Sequence, residues 1–301
     1  MRKAQTDFIQ NTVNRDIKEN SKRFWSYIKS KRQEPAGISS LLNKDGFLHS
    51  DSHIKAEILN HQFQSVYTKE DTTTLPDKGN STIKSMNDIY ITENGVIKLL
   101  KDLNPHKASG PDQIPTRLLK LCASELAPAV VRVFQTSLDS GTVPSDWKEA
   151  LVTPLFKKRE GNVASNYRPV SLTSVVSKIL EHIVHSSIMR HLDHYNILTD
   201  CQHAFRSRRS CESQLTSTIQ GIAEKLKSGK DQIDVILLDF AKAFDKVPHK
   251  RLLHKLCHYG VRGKTLQWIT SCLSSRTQQV LVEGCESEKL GVLFGVPQAQ
   301  C

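Results

Sequence analysis

Ile233-Asp234-Val235-Ile236-Leu237-Leu238-Asp239-Phe240 leads directly into Ala241-Lys242-Ala243-Phe244-Asp245. The short apolar run predicts a buried strand over 233–239 that delivers the carboxylate of Asp239 at its end, with the aromatic Phe244 five residues further on. A carboxylate held at the end of a rigid element is the kind of group that binds a divalent metal beside reacting oxygens.

Around this stretch the composition is that of an ordinary globular chain. With 301 residues and 38% hydrophobic content it has material for a sizeable core, and for two or three subdomains. Its longest apolar stretch is too short to cross a bilayer, and the start at Met1-Arg2-Lys3 lacks the apolar segment of a secretory signal, so the expectation is a protein of the nucleus and cytoplasm with no membrane partner. Seven scattered cysteines without a C-x-x-C pair read as reduced thiols. A net charge of +11 suits a polyanion.

The chain opens with a basic arm. Phe8, Ile9, Val13, Ile17, Phe24 and Ile28 recur at helical spacing among Arg15, Lys18, Lys22, Arg23, Lys29, Lys31 and Arg32. Such an arm fits either a surface that tracks phosphates or a solvated helix face over a packed stripe. Leu41 to Leu48 reads as a hairpin turning at Asp45-Gly46, followed by a helix with Ser50, Asp51 or Ser52 as cap and Ile54, Ile58, Leu59, Phe63 and Val66 inward. Lys69 to Ser85 is polar and reads as a linker.

Thr92 is placed to cap a helix through Val96 and Leu100, and a second helix is expected from Leu118 through Phe134. Between them lies the loop Lys107-Ala108-Ser109-Gly110-Pro111-Asp112. Leu151–Phe156 and Asn166–Leu172 predict a hairpin with Lys157, Lys158 and Arg159 at its tip and Arg168 on its flank. A lysine point charge and a bidentate guanidinium could clamp a triphosphate there, although a lone basic turn also occurs as a plain surface loop. Val175 to Leu192 forms one helical core stripe, and its histidines do not have the spacing of a zinc site. Arg206, Arg208 and Arg209 follow Phe205 and are placed to contact a nucleic-acid backbone.

Taken in order, Lys107–Asp112, Asn166-Tyr167-Arg168-Pro169-Val170-Ser171-Leu172, Gln202-His203-Ala204-Phe205-Arg206, Leu238–Asp245 and Gly295-Val296-Pro297-Gln298 closely resemble the reverse transcriptases of metazoan non-LTR retrotransposons of the jockey-like, LINE type. The resemblance covers roughly residues 90 to 301. It implies that Asp239 and the backbone carbonyl of Phe240 hold catalytic Mg²⁺, that Lys157 or Lys158 and Arg168 grip the incoming triphosphate, and that Phe244 lies under its sugar and excludes a 2′-hydroxyl. It also implies contact of Gln298 with nucleotide and template, and an RNA template, a DNA primer and deoxynucleoside triphosphates as partners. Asp245 reads as structural.

Some positions depart from that pattern. Ala204 stands where the family usually has Gly, and Ala299-Gln300-Cys301 stands where it has Gly-Ser. No apolar strand in these residues ends in paired aspartates, and the aromatic-x-Asp-Asp strand of the family would lie downstream. The expectation is therefore an α+β right-hand polymerase: a helical basic N-terminal extension (1–68), a linker (69–90), fingers (91–230) and a partial palm (231–301). Its activity would be RNA-directed DNA synthesis, with these 301 residues inactive alone; the alternative is a catalytically inactive nucleic-acid-binding remnant of such an enzyme.

Overall fold

A computed structural model describes residues 37–67, 75–157, 159–228 and 232–296. The basic arm, Lys158 and the Pro297-Gln298 pair lie outside these residues.

The hairpin forms as read: β1 (Leu41–Leu42) pairs with β2 (Leu48–His49), and Gly46 takes the positive φ of +85° that the turn requires. Asp51 then caps α1 (Ser52–Gln64), its carboxylate accepting from the backbone N–H of Ile54 at 2.9 Å. The helix buries Ala56, Leu59 and Phe63, whereas Ile54 remains exposed.

What α1 covers is a mixed sheet. β3 (Glu149–Phe156) pairs antiparallel with β4 (Tyr167–Leu172) and parallel with β5 (Arg276–Val282), whose other side carries β6 (Cys285–Glu286) and β7 (Leu290–Val292). Along β5 burial alternates strictly, so Arg276, Gln278, Val280 and Val282 face α1. Val152, Tyr167, Val280 and Val282 form one core with Leu41, Leu59 and Phe63. Polar ties register the helix on the sheet. Asn60 donates to Ser287 Oγ at 2.8 Å and accepts from Gln278 at 3.0 Å, while the buried ammonium of Lys55 donates to Ile38 O at 2.9 Å and to both Glu283 oxygens at 2.9 and 3.0 Å. A buried lysine is tolerated because each of its protons has an acceptor.

The second core is helical. It gathers α2 (Glu93–Lys101), α3 (Thr116–Leu121), α4 (Ala123–Ser140), α5 (Val175–His194) and α8 (Gly263–Leu273) around Val96, Leu100, Phe134, Leu180 and Trp268. Thr92 caps α2 as expected, and Ser174 caps α5. The helix expected from 118 to 134 is instead two helices that meet at Cys122, where φ −97° and ψ 28° break the ladder. Trp268 donates its indole N–H to Ser137 Oγ at 2.9 Å, which satisfies the one polar group that burying it would strand.

Within the stretch read as a linker, residues 75–85 are irregular but tied down. Arg262 of the turn before α8 donates to Ile83 O at 3.2 Å and Ser81 Oγ at 2.9 Å, and just beyond it Met86 N–H donates to Gly260 O at 2.8 Å. His191 from α5 meets the same turn, its Nε2 lying 2.8 Å from Tyr259 O. That contact accounts for one of the histidines that the sequence offered without a role.

One expectation fails outright. Residues 232–240 form no strand, and Ile236, Leu237, Leu238 and Phe240 are 82 to 91% exposed. A strand exists only when a neighbour takes its N–H and C=O groups, and here β3 and β5 pair with each other and with β4, β6 and β7 instead. The preceding α6 (Cys211–Lys227) likewise leaves Leu215 and Ile219 exposed. Sequence patterning made no assignment for α7 (His249–His258), α8 or β5 to β7.

Candidate functional site

Phe244 is the point where separate motif segments meet. The Phe205 ring, presented by a backbone at φ +59°, packs edge-on against the Phe244 ring with centroids 6.2 Å apart. On another side Val296 N–H donates to Phe244 O at 3.0 Å and Gly295 N–H to Val247 O at 2.9 Å. A Cβ on Gly295 would lie 2.9 Å from Asp245 Cα, Asp245 O and Phe244 O, and the residue has φ +82°. Only glycine satisfies both conditions.

A cavity opens beside this junction. It is lined by Asp245, Gly295 and Val296, by Pro169 and Ser171 of β4, by Arg276 and Gln278 of β5, and by Phe63 and Tyr67. Tyr67 donates to Gln278 Oε1 at 3.1 Å, and its hydroxyl is pushed up to about 12 by burial first and by the Asp245 carboxylate second. Burial also raises Asp245, with Lys242 opposing it, while burial lowers the Lys242 ammonium. Asp245 thus lies partly buried at the junction, on the wall of the cavity. Tyr67 and His249, whose Nε2 lies 2.7 Å from Gly295 O, were not found from the sequence, because each acts through a partner far along the chain and no local pattern marks that partner; Arg276, which donates to Cys272 O at 3.2 Å, escaped because the strand that carries it was not foreseen.

The basic hairpin sits on the opposite face of the same sheet. Leu155 lies directly across from Arg168, and Lys157 closes the pairing through its N–H to Asn166 O at 2.9 Å. Opposed residues share a face and alternate residues return to it, so Arg168 and Lys157 project to one side while Tyr167, Pro169 and Ser171 project to the α1 side. Both cations are exposed. The fifth motif, at Gly110, is wedged against the backbone of Thr173 and Ser174, where a Cβ would meet atoms at 2.6 to 2.7 Å. Its glycine is therefore explained by close packing at the start of α5.

The structure divides the three arginines after Phe205. Arg206 donates to Leu198 O and Thr199 O at 3.3 Å and pairs with Asp193 at 3.5 Å, and Arg209 bonds Asp200 at 2.6 Å. These two arginines brace their own loop. Arg208, at φ +60°, is exposed.

Asp239 and Phe240 lie in exposed chain. Among the described residues no group of three or more His, Cys, Asp or Glu is placed to hold a metal ion. Asp239 offers one carboxylate and the Phe240 carbonyl one neutral oxygen, which is short of the ligand set that two metal ions need. The described residues therefore do not by themselves make a two-metal centre.

With this geometry in hand, comparison with known proteins is specific. Residues 156–299 match the family model for reverse transcriptase (RNA-dependent DNA polymerase). The RNA-directed DNA polymerase from mobile element jockey of Drosophila melanogaster is 24% identical over 310 residues, covering 99% of this chain and 33% of that protein. The probable RNA-directed DNA polymerase from transposon X-element of the same species is 28% identical over 195 residues, 64% of this chain and 21% of the relative. A retrovirus-related Pol polyprotein from a type-1 retrotransposable element R2 of Popillia japonica is 25% identical over 168 residues, 54% and 22% of the two chains. The chain thus spans about a third or less of each relative's length. No helix among the described residues is long and apolar enough to cross a membrane. Enzymes of this family work with divalent metal ions, nucleotides and a nucleic-acid template. Residues 156–299, in which four of the five ordered motifs fall, are thus the part of the chain that is similar to reverse transcriptases, and the relatives it resembles are RNA-directed DNA polymerases of mobile elements.

Proposed function

We propose that this chain is the fingers (91–230) and first palm segment (231–301) of a right-hand polymerase that copies RNA into DNA, preceded by a basic extension (1–68) and a linker (69–90). The observation that supports it best is the convergence on Phe244 of the Phe205 loop and the Gly295-Val296 turn, beside a cavity that β4 also lines. These are three separately recognised segments, distant along the chain, brought to one place. In this reading Phe244 lies under the sugar of the incoming deoxynucleotide and Gln298 contacts nucleotide and template. Lys157 or Lys158 with Arg168 neutralises its triphosphate only when the hairpin, whose Lys157 and Arg168 are carried on the other face of the sheet, moves toward Phe244. Phosphoryl transfer is mainly positioning plus stabilisation of oxygen charge, and residues of these types supply both.

Mg²⁺ is the proposed metal, with Asp239 and the Phe240 carbonyl contributing ligands to a set whose other carboxylates come from the aromatic-x-Asp-Asp strand of the family. RNA template and DNA primer are the proposed macromolecular partners, met in the nucleus and cytoplasm, and Arg208 is the arginine of its loop best placed to meet a phosphate.

RNA-templated primer extension tests this reading. The 301 residues alone should give no synthesis. A longer chain that adds the aromatic-x-Asp-Asp strand should be active and should lose nearly all activity on Asp239→Asn, since the amide keeps the shape and removes the charge that holds metal. Activity indifferent to Asp239→Asn would refute the assignment. Salt-sensitive RNA binding without synthesis in the longer chain would favour the inactive-remnant reading.

A further inference from the structure

We propose that His249 is a positioning residue that locks the Gly295–Val296 peptide plane onto the Phe244 loop. The inference deepens the nucleotide-site reading of Phe244 and rests on it for its functional part.

A peptide plane carries one carbonyl and one N–H, and rotating the plane reorients both. In the plane between Gly295 and Val296 both groups are engaged. Val296 N–H donates to Phe244 O at 3.0 Å, and Gly295 O lies 2.7 Å from Nε2 of the half-buried His249 ring. A carbonyl oxygen only accepts, so Nε2 carries the proton in this contact. Glycine at 295 is required by the close approach of Asp245 and by its positive φ, yet a glycine is also the residue least able to resist a peptide flip. No side chain at 295 is available to hold the plane. The donor has to come from elsewhere, and His249 supplies it.

The geometry of His249 is itself fixed by sequence. It is the first residue of α7, directly after Val247-Pro248, and Val247 O accepts the remaining N–H of the turn, that of Gly295, at 2.9 Å. Phe244, Val247 and His249 thus grip the turn through three successive hydrogen bonds, of which His249 alone contributes a side chain. Its removal leaves the backbone contacts possible while freeing the carbonyl.

Two variants and two readouts test this. In the 301-residue chain, His249→Ala should speed hydrogen exchange of the Gly295 and Val296 amides by roughly tenfold, the equivalent of about one hydrogen bond, with α4 and α5 amides unchanged. His249→Gln, which restores an N–H donor, should recover most of that protection. Unchanged amides at 295 and 296 in the alanine variant, or equal loosening of the whole chain in both variants, would overturn the lock. In a primer-extending longer chain, His249→Ala should raise KM for deoxynucleotide several-fold with a smaller change in kcat, and glutamine should rescue KM. Loosened amides with wild-type KM would overturn the link to nucleotide placement. If the unmodified longer chain extends no primer, the polymerase reading fails instead, and the exchange experiment decides the lock alone.

Discussion

α5 and the segment 232–240 both read as apolar elements in the sequence, and they end in opposite environments. In α5, Ile179, Leu180 and Val184 are 0 to 4% exposed, whereas Leu237 and Leu238 are about nine-tenths exposed. The difference lies in where each element finds its hydrogen bonds. A helix closes its own N–H to C=O ladder and then needs only a surface for its apolar stripe, which α2 and the rest of the helical core provide. A strand has no internal ladder, so the same hydrophobicity gives no strand until a neighbour accepts its backbone. Apolar patterning therefore predicts an element more securely when the element is self-satisfied.

The sharpest way to break this contrast is to delete side-chain volume. Leu180→Ala should destabilise the protein by about 2 to 5 kcal/mol, as loss of a fully buried leucine does, measured by urea denaturation. A cost under about 1 kcal/mol would mean that the helical core is looser than its burial states.

Thiol reactivity extends the comparison to α8. Burial pushes the Cys272 thiol up to about 11, with Glu181 adding to the effect, so at pH 8 it should alkylate ~100-fold more slowly than the exposed Cys201, Cys211 and Cys285. Because the neutral thiol persists below that value, raising the pH toward 11 should close the gap. Mass spectrometry of iodoacetamide-labelled protein checks both. Equal labelling at pH 8 would show that α8 opens freely.

Within the loop after Phe205 the two arginine types should separate. Arg208→Ala should lower RNA affinity by about 1 kcal/mol or less and flatten the salt dependence by roughly one ion, without changing stability. Arg206→Ala should instead loosen the loop, since it removes bonds to Leu198, Thr199 and Asp193. The smallest effect belongs to the exposed segment, where Leu237→Ala should change stability by no more than about 0.5 kcal/mol.

Much of the fold could be read from sequence wherever local chemistry decides it. Asp45-Gly46 marked the hairpin, the Ser50-Asp51-Ser52 run and Thr92 marked helix starts, and Leu151–Leu172 marked the β3–β4 pair. What escaped was non-local. Nothing near Arg276 signals that β5 would pair parallel with β3, across more than a hundred residues, nor that α1 and the turn after it would supply Phe63 and Tyr67 to the cavity beside Asp245. The candidate site followed the same rule. Phe244, Arg168 and the Gly295 turn were visible because the motifs are ordered. His249 was not, because its role exists only through a carbonyl 46 positions away. Asp239 was singled out as a strand-end carboxylate, and the strand that was to present it is the element the described chain does not pair.

The most direct measurement of the central claim, that the Phe244 junction holds the nucleotide sugar, is sugar discrimination in primer extension by a chain that includes the aromatic-x-Asp-Asp strand. Phe244→Val should admit ribonucleotides far more readily while deoxynucleotide incorporation persists, because the smaller side chain leaves room for the 2′-hydroxyl. Asp245→Asn in the same protein should act mainly on stability. Unchanged discrimination in the Phe244 variant, with synthesis intact, would place the sugar elsewhere and contradict the account.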